Sequence, residues 1–125
     1  MGEAALQQLI EHSAPIAREI CRAMQEQVVQ LGFAEGEVVI GDPGRASYRL
    51  SRDPASGEDS LLGEWRDARG QKLGELTFHF DGSYYAEYDV IRTHPGNGRL
   101  FVEAVNAWGR DGRISAEPRM LPMVS

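Results

Sequence analysis

The stretch that most constrains the fold is residues 73–91, LGELTFHFDGSYYAEYDVI. Apolar and polar residues alternate on both sides of Asp81-Gly82, which is the period of two expected of half-buried strands. Asp and Gly both tolerate the positive φ of a tight hairpin turn. The stretch therefore predicts two antiparallel strands joined by a turn, at the middle of an antiparallel sheet.

The alternation also assigns a face to each residue of this hairpin. The predicted core face carries large apolar and aromatic side chains: Leu76, Phe78, Phe80, Tyr84, Ala86, Tyr88 and Val90. The opposite face carries Tyr85, Glu87 and Asp89 on the second strand. We expect the first strand to pack against an amphipathic helix through Leu76, Phe78 and Phe80.

That helix is predicted over residues 3–31, where apolar residues such as Ile20, Met24 and Val28 recur at three- and four-residue spacing. Gly32 is a suitable left-handed residue to end it. Pro15 cannot donate a backbone hydrogen bond, so it predicts a kink or a division. We expect a short first segment and a longer second one from about Ala14 to Leu31, with Ser13 as a candidate N-cap.

Three further strands are predicted from short alternating runs at 37–41, 46–52 and 61–67, joined by the turns or loops 42–45, 53–60 and 68–71. Leu100, Phe101, Val105 and Trp108 recur at helical spacing, which predicts a short helix over about residues 99–108. The alternative is another strand, paired with residues 113–120 through a turn at 110–112. The fold class is thus one α+β domain over residues 1–125: an N-terminal helix packed on a five-stranded or larger antiparallel meander, with a short C-terminal helix.

Composition excludes several classes of function. The net charge of −6 disfavours nucleic acid as a partner, because phosphate binding needs a basic face. Cys21 is the only cysteine, so no intrachain disulfide can form, and its place near the helix stripe indicates a buried apolar role. No secretory signal or membrane-length apolar run is present, so we expect a cytoplasmic protein without a membrane partner.

No residue pattern in the chain predicts catalysis, a metal site or a cofactor. The three histidines are scattered, without HExxH spacing, and residues 41–45 do not form a phosphate-binding pattern. The outward residues Glu75, Tyr85, Glu87 and Asp89 are instead predicted to bind a protein partner with a basic surface. Two alternatives stay open: a small enzyme or ligand-binding domain with a pocket between helix and sheet around His79, Glu87 and Asp89, and a homodimeric structural subunit.

The segment TFHFDGSYYAEYDVI, between a helical N-terminus and a Trp-containing C-terminal segment, resembles the YezG-like immunity proteins of bacterial polymorphic-toxin systems. The likeness covers residues 5–91 and is firmest over Leu76 to Asp89. The resemblance implies a cytoplasmic, non-enzymatic antidote that binds and blocks a cognate toxin, for which a basic toxin domain is the expected partner.

Overall fold

The computed structural model describes residues 2–123, which form one long helix followed by an antiparallel sheet. The helix α1 spans Glu3–Leu31. The strands are β1 Ser47–Arg52, β2 Asp59–Arg66, β3 Lys72–His79, β4 Ser83–Thr93, β5 Leu100–Arg110 and β6 Arg113–Pro122. They lie in the sheet in chain order, β1-β2-β3-β4-β5-β6. The predicted α+β class and the antiparallel meander of five or more strands are therefore confirmed. The predicted strands at 46–52 and 61–67 and the two strands of the central hairpin are present, the one at 37–41 is absent, and β5 and β6 complete the six.

The helix is continuous, so the predicted division at Pro15 is wrong. Pro15 lies inside a 29-residue helix, on its exposed side, where water can satisfy the carbonyl that loses its partner. The helix ends as predicted, because Gly32 adopts the left-handed conformation with φ 102° and its N–H donates to the carbonyl of Val29.

The core lies between α1 and one face of the sheet. Ile20, Met24 and Val28 of the helix are almost completely buried, as are Leu76 of β3 and Val105 of β5. The helix runs closest to β5 and β6, the last two strands of the chain. The predicted core residues of β4 are all buried: Tyr84, Ala86, Tyr88 and Val90.

Phe80 is the exception among the predicted core residues. Strand β3 ends at His79, and Phe80 starts a three-residue turn in which Gly82 has φ 96° and donates its N–H to the carbonyl of His79. Phe78 therefore pairs with Tyr84, and Phe80 lies in the turn at the end of the sheet with 56% of its surface exposed. The turn is one residue longer than the sequence pattern indicated.

The predicted C-terminal helix is also wrong, because residues 100–110 form strand β5. A β-bulge shifts the register between Val102 and Ala104. The residues whose spacing predicted the helix do not share one face, because Val105 is buried in the core whereas Trp108, three positions later, is 39% exposed on the opposite face of the strand. The strand alternative is the one observed, and β6 follows through the turn at Asp111 and Gly112.

The strand predicted at 37–41 is wrong, because Glu37 lies in a turn, where its N–H donates to the carbonyl of Ala34 at 3.0 Å, and residues 38–41 pair with no strand of the sheet. Val38 and Ile40 are buried, and Val39 between them is 63% exposed, so the predicted alternation of faces is present. The side-chain amide of Gln25 takes the place of a neighbouring strand. It donates to the carbonyl of Val38 at 3.1 Å and accepts from the N–H of Ile40 at 2.8 Å. The next residues, Pro43–Arg45, form a single 3₁₀ turn.

The two edges of the sheet differ. Edge strand β6 carries Pro118 and Pro122, and a proline has no N–H with which to pair an incoming strand. Edge strand β1 has no proline. A homodimer formed through an edge strand stays a prediction, and β1 is the edge that can accept it.

Candidate functional site

The face of the sheet that α1 does not cover is called the open face below. Its residues are identified by their pairing with the outward residues of β4, and its centre is a row that crosses five strands in register. This row consists of Glu64, Glu75, Glu87, Asn106 and Glu117. The predicted residues Glu75 and Glu87 are direct cross-strand neighbours, so the fold brings like charges side by side.

Internal cations neutralise part of this row. Arg66 lies 2.7 Å and Arg49 3.2 Å from the Glu64 carboxylate. Lys72 lies 2.6 Å from the carboxylate of Glu75. The open face is therefore less electronegative than its count of acidic residues indicates.

Arg119 forms the most extensive ion pair on this face. One guanidinium nitrogen lies 2.6 Å from Glu87 and another lies 3.0 Å from Glu103. These hydrogen bonds, first of all the one to Glu87, raise the pKa of Arg119 above its ordinary value. Glu87 is thus held by Arg119 in the free protein, and a partner's cation can reach it only in competition with this bond.

Asp89 differs from its neighbours because it makes no ion pair within residues 2–123. It lines a shallow depression of about 190 Å³ together with Lys72, Glu75 and Glu87. Partial burial, and then the charge of Glu87, raise the pKa of Asp89. A new cation nearby would therefore stabilise the ionised form of Asp89 more than it would stabilise a fully solvated carboxylate.

Two aromatic residues lie beside the acidic row. Tyr85 of β4 is directly opposite Trp108 of β5. Trp108 is 39% exposed, and the hydroxyl of Tyr85 donates to Glu87 at 3.2 Å. Trp108 is not among the predicted partner-binding residues, because the helix predicted over 99–108 separates it from the sheet; in strand β5, Asn106 and Trp108 lie on one face.

Asn106 supplies an acceptor without a partner. Its side-chain oxygen is buried and accepts no hydrogen bond within the part of the chain that the structure describes. The residue stands between Glu87 and Glu117 in the row. An acceptor that is buried without a partner carries a cost in stability at the centre of the row.

The structure does not bring His79 to Glu87 and Asp89. His79 pairs with Ser60, whereas Glu87 pairs with Glu75, four residues and thus about 13 Å away along β3. The pocket proposed around these three residues is therefore not assembled. His79 lies instead beside a separate cavity on the helix side of the sheet.

Within residues 2–123, no group of three or more His, Cys, Asp or Glu side chains is placed to hold a metal ion. Cys21 is buried, and burial, assisted by the charge of Asp42, raises the pKa of its thiol to about 12, so the reactive thiolate is scarce at neutral pH. No helix in residues 2–123 has the length and apolar character needed to cross a membrane.

Comparison with known proteins gave no match to any protein-family model, to a curated protein or to a solved structure. The resemblance to YezG-like immunity proteins stays a prediction from the sequence.

Proposed function

We propose that this chain is a non-enzymatic binding protein that holds a basic protein partner on the open face. The observation that carries the proposal is the uncovered row of acidic residues beside Trp108 and Tyr85. Aromatic side chains of this kind supply much of the binding energy of protein interfaces, and charged residues around them select the partner.

The carboxylates of the open face have different roles in this proposal. Asp89 and Glu117 make no ion pair within residues 2–123 and can attract a basic surface directly. Glu75 and Glu87 already hold Lys72 and Arg119, so a partner's cation must replace an existing bond there. We infer that Asp89 and Glu117 speed association, while Glu75 and Glu87 contribute less to the encounter.

The expected partner is a cognate bacterial toxin domain with a basic surface, as the resemblance to immunity proteins implies. The protein encoded next to this chain's gene is the first candidate, because antidote and toxin genes are adjacent in such systems. Its expression alone should stop growth, and co-expression of this chain should restore it. A neighbour that is harmless on its own would leave the toxin proposal without support, whereas binding through the open face would still be testable with another partner.

The electrostatic part of the proposal is tested by charge reversal. Asp89→Lys combined with Glu117→Lys should lower the association rate about tenfold at low salt and flatten its salt dependence. The matched control reverses two acids on the exposed side of α1, Glu11→Lys and Glu26→Lys, and should leave this rate within about twofold. Binding kinetics at two salt concentrations measure both.

The aromatic part is tested by truncation. Trp108→Ala and Tyr85→Ala should each raise the dissociation rate by an amount equivalent to about 1–3 kcal/mol, with little change in association. If the helix variants weaken binding and the open-face variants do not, the partner binds on the helix side and the proposal is wrong.

A further inference from the structure

A cavity of about 580 Å³ lies on the helix side of the sheet, far from the acidic row. It is enclosed by the first half of α1 and by the end of the sheet where β3 turns into β4 and β5 into β6. Its floor is apolar and consists of Leu9, Ile16, Leu61, Phe78 and Tyr84. This volume falls in the range of small-molecule sites, which is about 300–1,000 Å³.

The rim of the cavity is polar and aromatic. His12, His79, Phe80 and Asp111 line it, and all four are exposed. The side chains of His12, His79 and Asp111 make no hydrogen bond or ion pair within residues 2–123. The nearby Asp81 differs, because it is bound to Arg110 at 3.1 Å and to Ser83 at 2.6 Å.

The fold holds the Asp111 carboxylate at the cavity edge. Asp111 and Gly112 form a tight turn with φ 53° and 83°. The N–H of Asp111 donates to the carbonyl of Gly82 at 3.4 Å, and a carboxylate oxygen lies 2.9 Å from the place of a Cβ on Gly82. The two hairpin turns therefore contact each other, and the Asp111 carboxylate lies beside the apolar floor of the cavity.

We propose that this cavity binds a small organic cation with a flat apolar body, of the arylalkylamine class. The ring would lie on the apolar floor, where water release drives binding, and the ammonium group would meet Asp111 at the rim. The aromatic face of Phe80 adds a favourable surface for a cation. A carboxylate without an internal cation rejects anions of the same shape, which makes the site selective for charge.

Three probes that share an indole ring test the charge selectivity: tryptamine, 3-methylindole and indole-3-propionate. Titration calorimetry at low salt should find tryptamine bound about three- to tenfold more tightly than neutral 3-methylindole, as expected of one partly exposed ion pair, and the anion bound most weakly. Asp111→Asn should remove the preference and leave 3-methylindole binding unchanged, because Asn also tolerates positive φ in such a turn.

A second variant tests the location. Ser13 lines the cavity from α1, so Ser13→Phe should fill it and abolish binding of all three probes. Gln30→Phe, at an exposed position near the far end of α1, is the matched control and should bind like the parent protein. Asp89→Lys on the open face should likewise leave tryptamine affinity unchanged, which separates this site from the proposed protein-binding surface.

Two results would overturn the proposal. The first is a failure of tryptamine to bind, or equal binding of the three probes whether or not Ser13→Phe reduces it. The second is a dimer in sedimentation that Phe80→Ser dissociates while tryptamine fails to bind, since the cavity would then be covered by a second copy of this chain.

Discussion

At the scale of single residues, Phe78 and Phe80 show how one turn residue decides burial. Both follow the same alternation, but Phe78 is 8% exposed and packs with its ring centre 6.3 Å from that of Tyr84, whereas Phe80 is 56% exposed. The alternation predicts the two faces of β3 correctly as far as His79, where the strand ends. The length of the turn depends on where Gly82 takes its positive φ, which the residue pattern does not determine.

Phe78→Ala should lower the free energy of unfolding by about 3 kcal/mol, the lower end of the range for a buried aromatic residue, because one side of Phe78 already borders the cavity. Phe80→Ala should change it by less than about 0.5 kcal/mol. Urea denaturation of the two variants measures the difference. Equal losses would mean that Phe80 is covered in solution.

Asp89 gives a prediction about pH. Its pKa is raised by burial and by Glu87, so the folded state binds this proton more tightly than the unfolded state does. The ionised carboxylate therefore destabilises the protein above its folded pKa, and the cost disappears as pH falls through that pKa.

Asp89→Asn should raise the thermal midpoint at pH 7, and the gain should vanish below about pH 4, where the ordinary aspartate is also protonated. Glu58→Gln, which neutralises an exposed carboxylate in the loop between β1 and β2, is the matched control. A gain at pH 7 that persists at pH 3 would show that ionisation of Asp89 is not its cause.

At the scale of elements, a side chain of α1 holds residues 37–41 in place, in the position where a partner strand would be expected. Gln25 donates to the carbonyl of Val38 and accepts from the N–H of Ile40, which gives these two backbone groups a partner where Val38 and Ile40 enter the core. The alternation alone predicts which of these residues are buried. It does not reveal that a glutamine 13 residues before Val38 replaces the partner strand.

Gln25→Ala should destabilise the protein by about 1–3 kcal/mol, because two buried backbone groups lose their partner. Hydrogen exchange should accelerate most at the amide of Ile40. Gln30→Ala is the matched helix control and should stay within about 0.5 kcal/mol of the parent. Unchanged protection of Ile40 in Gln25→Ala would contradict this account.

At the scale of the whole molecule, the sheet order and the two faces of the central hairpin could be predicted, because short connections make neighbours in sequence neighbours in space. The composition of the open face could be predicted only in part. Glu75, Glu87 and Asp89 are outward as expected, but Trp108 and Arg119 join them through β5 and β6. The helix predicted over residues 99–108 leaves β5 out of the sheet, and only the alternative pairs this segment with residues 113–120, as observed.

The docking of α1 mainly on β5 and β6 has a consequence for the order of events during synthesis. The helix leaves the ribosome first, and the strands it runs closest to leave last. At a synthesis rate of about 5–20 residues per second, several seconds pass between the synthesis of Ile20, Met24 and Val28 and that of the strands that bury them. A chain interrupted before residue 100 lacks β5 and β6, so this apolar stripe stays exposed to water. Chaperones and proteases can recognise the exposed stripe, and they can therefore distinguish an incomplete chain from a complete one.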